Sequence, residues 1–200
     1  MTTETAFTSR NLLLWKLLAA PAISAFCFIA YLAYTLLVFS HNNERLQQIQ
    51  NTQFPALVLA TDNVSSLDKV IDSFIAAVST NEPDVLDNAQ SLAGTTRANF
   101  TQLERLLPDQ RADLQRLRAE FEDYFSAGMR LSRAFFAHEG TPQPGLSERM
   151  RATLLVYQTD LKSFRQATDA RFRGTVAVAT RDSNRAMLIG VIIAMTGLAA

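Results

Sequence analysis

Arginines are the residues of this chain best equipped to do chemistry. Arg130 and Arg133 precede, and Arg149 and Arg151 follow, a Pro/Gly-rich segment, Glu139-Gly140-Thr141-Pro142-Gln143-Pro144-Gly145. A guanidinium offers a planar fork of donors that grips a carboxylate with two parallel hydrogen bonds. Four of them meeting across one loop would clamp a small anion, with Lys69 as a further cation in the first helix of the region. The competing explanation is plainer: they pair with Glu139 and Glu148, or are simply solvated. Other chemistries find little material. The two histidines, His41 and His138, have no second His or Cys at ligand spacing, so no metal is expected. His138 reads instead as a helix C-terminal residue interacting with the dipole. No G-x-S-x-G, no phosphate-binding glycine loop and no carboxylate pair in an apolar setting occurs. Asp62, Asp68 and Asp72, beside Lys69, read as a solvated face. Neither a cofactor nor a catalytic role is expected of this chain.

Positioning such residues requires helices. Between His41 and Arg185 apolar residues recur at alternating spacings of three and four, and strand-type alternation is missing. The first helix shows Ala60, Val64, Leu67, Ile71, Phe74 and Val78, with Leu46, Ile49 and Leu57 leading in. The second shows Leu86, Ala89, Ala93, Thr96, Phe100, Leu103 and Leu107. Leu114, Leu117, Phe121, Tyr124, Gly128, Leu131 and Phe135 follow in the third, and Met150, Leu154, Tyr157, Leu161, Phe164 and Thr168 in the fourth. Breaks fall at Thr80-Asn81-Glu82-Pro83, at Leu107-Pro108-Asp109 and at the Pro/Gly segment, after which Ser147 is the expected N-cap. Connections this short make successive helices antiparallel neighbours, so the expected fold is all-α, an up-down-up-down four-helix bundle. Its first helix is expected over about Glu44 to Thr80, kinked or broken at Pro55, and its last over about Ser147 to Arg185. Those two, roughly 55–60 Å long, exceed the second, at about 36 Å, and their surplus would form a stalk. Thr61, Asn63, Ser65 and Ser66 crowd one region of the first helix, and Thr96, Gly128 and Thr168 sit at or near seam positions in the other three. They would either loosen the packing into a cavity or fix the register.

Two uncharged apolar runs flank this region. No Asp, Glu, Lys or Arg lies between Lys16 and Glu44, and residues 17–39 are almost wholly apolar, long enough to cross a hydrocarbon core of about 30 Å. The run is longer than a signal-peptide core and lacks an A-x-A cleavage pattern, which favours an uncleaved anchor. The second run, 186–200, would span only about 22 Å, so the chain reads as the front end of a longer membrane protein. Arg10 and Lys16 against Glu4 place residues 1–16 on the cytoplasmic side and the domain at 40–185 outside. Trp15, Tyr31 and Tyr34 are candidates for interfacial belts. Hydrophobic residues make up 48% of the chain, yet its 19 basic and 19 acidic residues balance, so no basic stripe argues for nucleic acid. The one cysteine, Cys27, sits in the first run and leaves the domain without disulfides.

This layout resembles the periplasmic sensor half of bacterial two-pass transducers: chemotaxis receptors, sensor histidine kinases and membrane diguanylate cyclases with four-helix-bundle input domains. The local texture that carries the likeness is Phe54-Pro55-Ala56-Leu57, Ala76-Ala77-Val78 and Phe121-Glu122-Asp123-Tyr124-Phe125. The resemblance implies an inner-membrane protein with its bundle in the periplasm, working as a parallel homodimer. It would sense a small molecule or a periplasmic binding protein and pass a helix displacement to a cytoplasmic output domain, a kinase or a nucleotide cyclase, beyond residue 200. In aspartate-type chemoreceptors arginines of the first and fourth helices bind the ligand across the dimer. Here the first helix carries only Lys69 beyond Arg45, so that pocket does not transfer. The rival expectation is a non-signalling membrane-anchored scaffold whose ectodomain binds envelope partners.

Overall fold

The first helix, α1, runs Thr5–Gln48 and includes Pro21, in a computed structural model that describes residues 5–137 and 145–199. At Ile49–Gln53 the chain widens into a single π-helical turn before α2, Phe54–Thr80. Pro55 explains the widening. It has no N–H to give back to the preceding turn, and its ring crowds the carbonyl one turn earlier. The Phe54 N–H reaches Ile49 O instead, five residues back. The break expected at Pro55 is therefore a π-turn just before it, and the bundle helix starts at Phe54 rather than Glu44.

Asn81 ends α2 in the left-handed region (φ 56°), which a short polar side chain tolerates, and its N–H bonds Ala77 O. A 3₁₀ turn at Pro83–Val85 leads into α3, Leu86–Leu106. The residue before a proline is pushed out of the helical region, and Leu107 (φ −124°) leaves the helix ahead of the 3₁₀ turn Pro108–Gln110. Then follow α4, Arg111–Ala137, and α5, Leu146–Ala199, a single helix of 54 residues. Gly145 sits at φ 90°, open to glycine and strained for other residues, and its carbonyl accepts from Arg149 N–H at 3.0 Å. Ser147, expected as the N-cap, thus lies inside the first turn of α5. His138 and most of the Pro/Gly segment lie outside the described residues.

The chain divides into two compact units, Gln48–Gly174 and the pair of segments Met1–Gln47 with Thr175–Ala200. The bundle occupies the first of these units. Within it α2, α3, α4 and the first part of α5 are antiparallel in sequence. Asn63 meets Asn99, Arg97 meets Glu122, Glu104 faces Arg118, and Phe121 meets Tyr157, so residue numbers rise on one helix as they fall on the next. Its core is Ala60, Leu67, Val70 and Phe74 from α2, Ala89, Ala93, Phe100 and Leu103 from α3, Leu114, Leu117, Phe121 and Tyr124 from α4, and Tyr157, Leu161 and Phe164 from α5. Each of the larger side chains contributes about 1.5–3 kcal/mol of burial. All described elements are helical, and the architecture is a helical bundle.

In α2 the buried stripe departs from the expected seam. Asn63, Val70 and Ala77 are buried, whereas Val64, Ile71 and Val78 are only partly covered. A helix that touches more than one neighbour buries a face wider than a two-residue seam, and the stripe leans toward the polar pair at Asn63.

The other unit is built differently. Along α1 the partly covered positions are Tyr31, Tyr34, Val38, Asn42 and Arg45, a seam of threes and fours, and along α5 they are Thr175, Asp182, Ala186, Ile189, Gly190 and Ile193, with Ala179 buried. Gly190 admits Tyr31: a Cβ there would stand 3.1 Å from the phenolic oxygen. The remaining faces expose large apolar side chains, Leu36 at 68% and Met187 at 73% among them. Among the described residues, no helix is long and apolar enough to cross a membrane. The side chains of Trp15 and Cys27, and much of the two apolar runs, lie outside the described residues.

Candidate functional site

The loop across which the arginines singled out from sequence would converge lies outside the described residues. Arg130, Arg133, Arg149, Arg151 and Lys69 are all exposed, and none makes an ion pair among the described residues. Arg130 only donates to Ser126 Oγ one turn back, at 3.4 Å. Phe74 is level with Tyr124 and Gly128, so Lys69, five residues before it, lies about 10 Å along the bundle from the level of Arg130. Of the arginines' two expected partners, Glu139 lies outside the described residues and Glu148 is exposed.

What the bundle does bring together is a different set of polar residues. Arg97 of α3 grips Glu122 of α4 with two hydrogen bonds, Nε to Oε1 at 2.6 Å and Nη2 to Oε2 at 2.8 Å. Its guanidinium also lies over the Phe125 ring, 5.4 Å from the centroid. That bond holds the Glu122 carboxyl below its ordinary range, against the opposing effect of burial. The nearby Glu120 moves the other way. Burial raises its pKa first, and the Asp160 carboxylate of α5 raises it further, while Arg116 opposes both. Arg116 stands 3.9 Å from Glu120, 3.6 Å from Asp160 and 4.0 Å from Asp113, one exposed cation shared among three acids. Tyr124 and Tyr157, stacked with centroids 6.5 Å apart, are fully buried, and desolvation drives both hydroxyls far above their ordinary pKa.

Deeper in the core, Asn99 Nδ2 donates to Asn63 Oδ1 at 2.9 Å, with Asn63 fully buried. Thr96 and Thr168 return their hydroxyls to Leu92 O and Phe164 O in their own helices. The asparagine pair thus ties α2 to α3, while the two threonines are satisfied within their own helices. Gly128 opens no cavity either, because the Phe74 ring fills the space a Cβ would need, 2.6 Å from it. Asn99 and the Arg97–Glu122 fork were missed in the sequence. Asn99, adjacent to the seam residue Phe100, carries the one available signal: an amide beside an apolar stripe, matching Asn63 on the preceding helix.

In the other unit, Arg45 of α1 and Asp182 of α5 form an ion pair. Beside it lies a cavity of about 420 Å³ lined by Tyr34, Leu37, Val38, His41, Asn42 and Arg185 together with that pair. Along α1 its lining passes from Tyr34, Leu37 and Val38 to His41, Asn42 and Arg45. Among the described residues no cluster of His, Cys, Asp and Glu is grouped to hold a metal ion. No family model matches this chain, and no curated protein and no solved structure is significantly similar to it.

Proposed function

We propose that this chain is the input module of a bacterial membrane signal transducer, with its bundle outside the membrane and α1 and α5 passing into lipid. The carrying observation is the division of α5. One unbroken helix supplies Tyr157, Leu161 and Phe164 to the bundle core and Met187, Leu188, Val191 and Ile192 to an exposed apolar surface. Exposed large apolar side chains are concentrated in the smaller unit, on both helices, and include Phe26, Phe28, Ile29, Leu32 and Leu36 of α1. An apolar exterior of this kind belongs against another apolar phase. The first uncharged run of the sequence, 17–39, supplies the length for that phase to be a bilayer.

In this reading a stimulus biases the bundle between two packings a few kcal/mol apart. The shift moves α5 relative to α1 toward an output domain outside this chain. Two chains work side by side as a parallel homodimer. Cysteine pairs test it, in a Cys27→Ser background, placed one residue at a time along 28–39 and 186–193 in membranes. The proposal expects disulfides between subunits at a helical period of three to four residues. Uniform or absent crosslinking would overturn it and leave a monomeric anchor or scaffold.

A further inference from the structure

We propose that the cavity beside the Arg45–Asp182 ion pair is a binding site for an anionic phospholipid, taken from the leaflet that faces the bundle. The inference rests on the membrane reading above and names a ligand for one place in it. Arg45 and Asp182 cancel one another, which leaves Arg185 as the uncompensated charge of the cavity. Arg185 makes no ion pair among the described residues, and its guanidinium is the right donor for a phosphodiester. His41, on the facing helix, adds an imidazole N–H to the same rim.

The other end of the cavity is apolar. Tyr34, Leu37 and Val38 lie one and two turns along α1 from His41, toward the middle of the uncharged run. A ligand that fills the site therefore needs a negative head and a hydrocarbon tail about one helical turn apart. A free anion would leave the apolar end empty, and a neutral-headed lipid would leave Arg185 unanswered. A residue in this position, where the run of uncharged residues on α5 begins, meets lipid headgroups rather than bulk water once 186–200 enters the bilayer.

The test uses the full chain purified in a non-ionic detergent, titrated with phosphatidylglycerol, phosphatidylcholine or inorganic phosphate and read by native mass spectrometry. The expected result is one phosphatidylglycerol per chain, bound more tightly than phosphatidylcholine and not displaced by millimolar phosphate. Arg185→Gln should weaken that binding about tenfold, the loss of one charge-assisted contact. Arg185→Lys should weaken it less, and Arg181→Gln, one turn away and outside the cavity, should leave it within twofold. Equal binding of the two lipids, an unchanged affinity in Arg185→Gln, or displacement by phosphate would each overturn the proposal. Flotation of the chain with phosphatidylcholine vesicles separates the two claims. A chain that floats but shows no preference keeps the membrane reading and loses the lipid site. A chain that stays in the aqueous fraction loses both.

Discussion

Two glycines in neighbouring helices should respond in opposite directions to the same added methyl group. At Gly128 of α4 a Cβ would lie 2.6 Å from Cε2 and 2.7 Å from Cζ of Phe74, about 1 Å inside ordinary contact. The ring cannot simply swing away. Phe74 is 3% exposed and is held by Tyr124 (centroids 6.2 Å apart, edge-on) and Phe125 (5.7 Å). Overpacking of this kind costs about 1–3 kcal/mol, and alanine returns about 1 kcal/mol of helix propensity. Gly128→Ala should therefore lose about 1 kcal/mol net. Gly94 of α3 has nothing within 4 Å of its would-be Cβ, so Gly94→Ala should gain about 0.5–1 kcal/mol. For a bundle of this size 1 kcal/mol corresponds to roughly 3–6 °C in Tm, so the two variants should melt about 5–10 °C apart by circular dichroism at 222 nm. Phe74→Leu makes room, and in that background Gly128→Ala should become neutral or stabilising. If Gly128→Ala stabilises the wild-type background as much as Gly94→Ala does, the close approach of Phe74 is wrong.

Acid should act on the bundle in two separable windows. Glu120 has a folded pKa above its ordinary 4.5, so its contribution is complete below 4.5 and is lost as pH rises through the folded value. Tm should climb as pH falls from neutral toward 4.5, and Glu120→Gln should flatten that climb. Glu122 is depressed, so its contribution is present above 4.5 and lost as pH falls through the lower folded value, a limb that Glu122→Gln should remove. Arg97→Lys keeps the charge but loses the fork and the stacking on Phe125, and should cost about 1 kcal/mol in urea or thermal unfolding. An unchanged midpoint would show that charge alone matters there. Asn99→Leu strands the buried Asn63 amide and should cost about 2–3 kcal/mol, whereas adding Asn63→Leu should recover part of the loss. Strict additivity of the two would count against the pair.

Helical class and most of the core were legible because the seam in α3, α4 and α5 repeats at threes and fours with residues too large to misplace, such as Phe100, Phe121, Tyr157 and Leu161. The proline and asparagine at the chain breaks were equally readable from backbone chemistry, although a π-turn in front of Pro55 was not, since it depends on how the preceding helix is held. In α2 the stripe read as Val64 and Ile71 gave way to Asn63 and Val70. A pattern of threes and fours fits two adjacent faces almost equally well, and the choice between them is made by the partners. Convergence of the arginines is a different matter: charge type is visible along the chain, but a clamp would be made by the loop between α4 and α5, which lies outside the described residues. The residues that do meet, Arg97 with Glu122 and Glu120 with Asp160, lie on different helices at spacings that no local pattern marks.

The central claim is that the apolar lengths of α1 and α5 lie in lipid. Nitroxide labels at successive positions along 28–39 and 187–193, in the chain reconstituted into vesicles, test it most directly. The account predicts that outward positions such as Leu32, Leu36 and Ile192 are reached by oxygen and shielded from an aqueous nickel chelate, most strongly toward the middle of each run, while Tyr31 and Gly190 are shielded from both. Chelate access equal to oxygen access along either segment would contradict it.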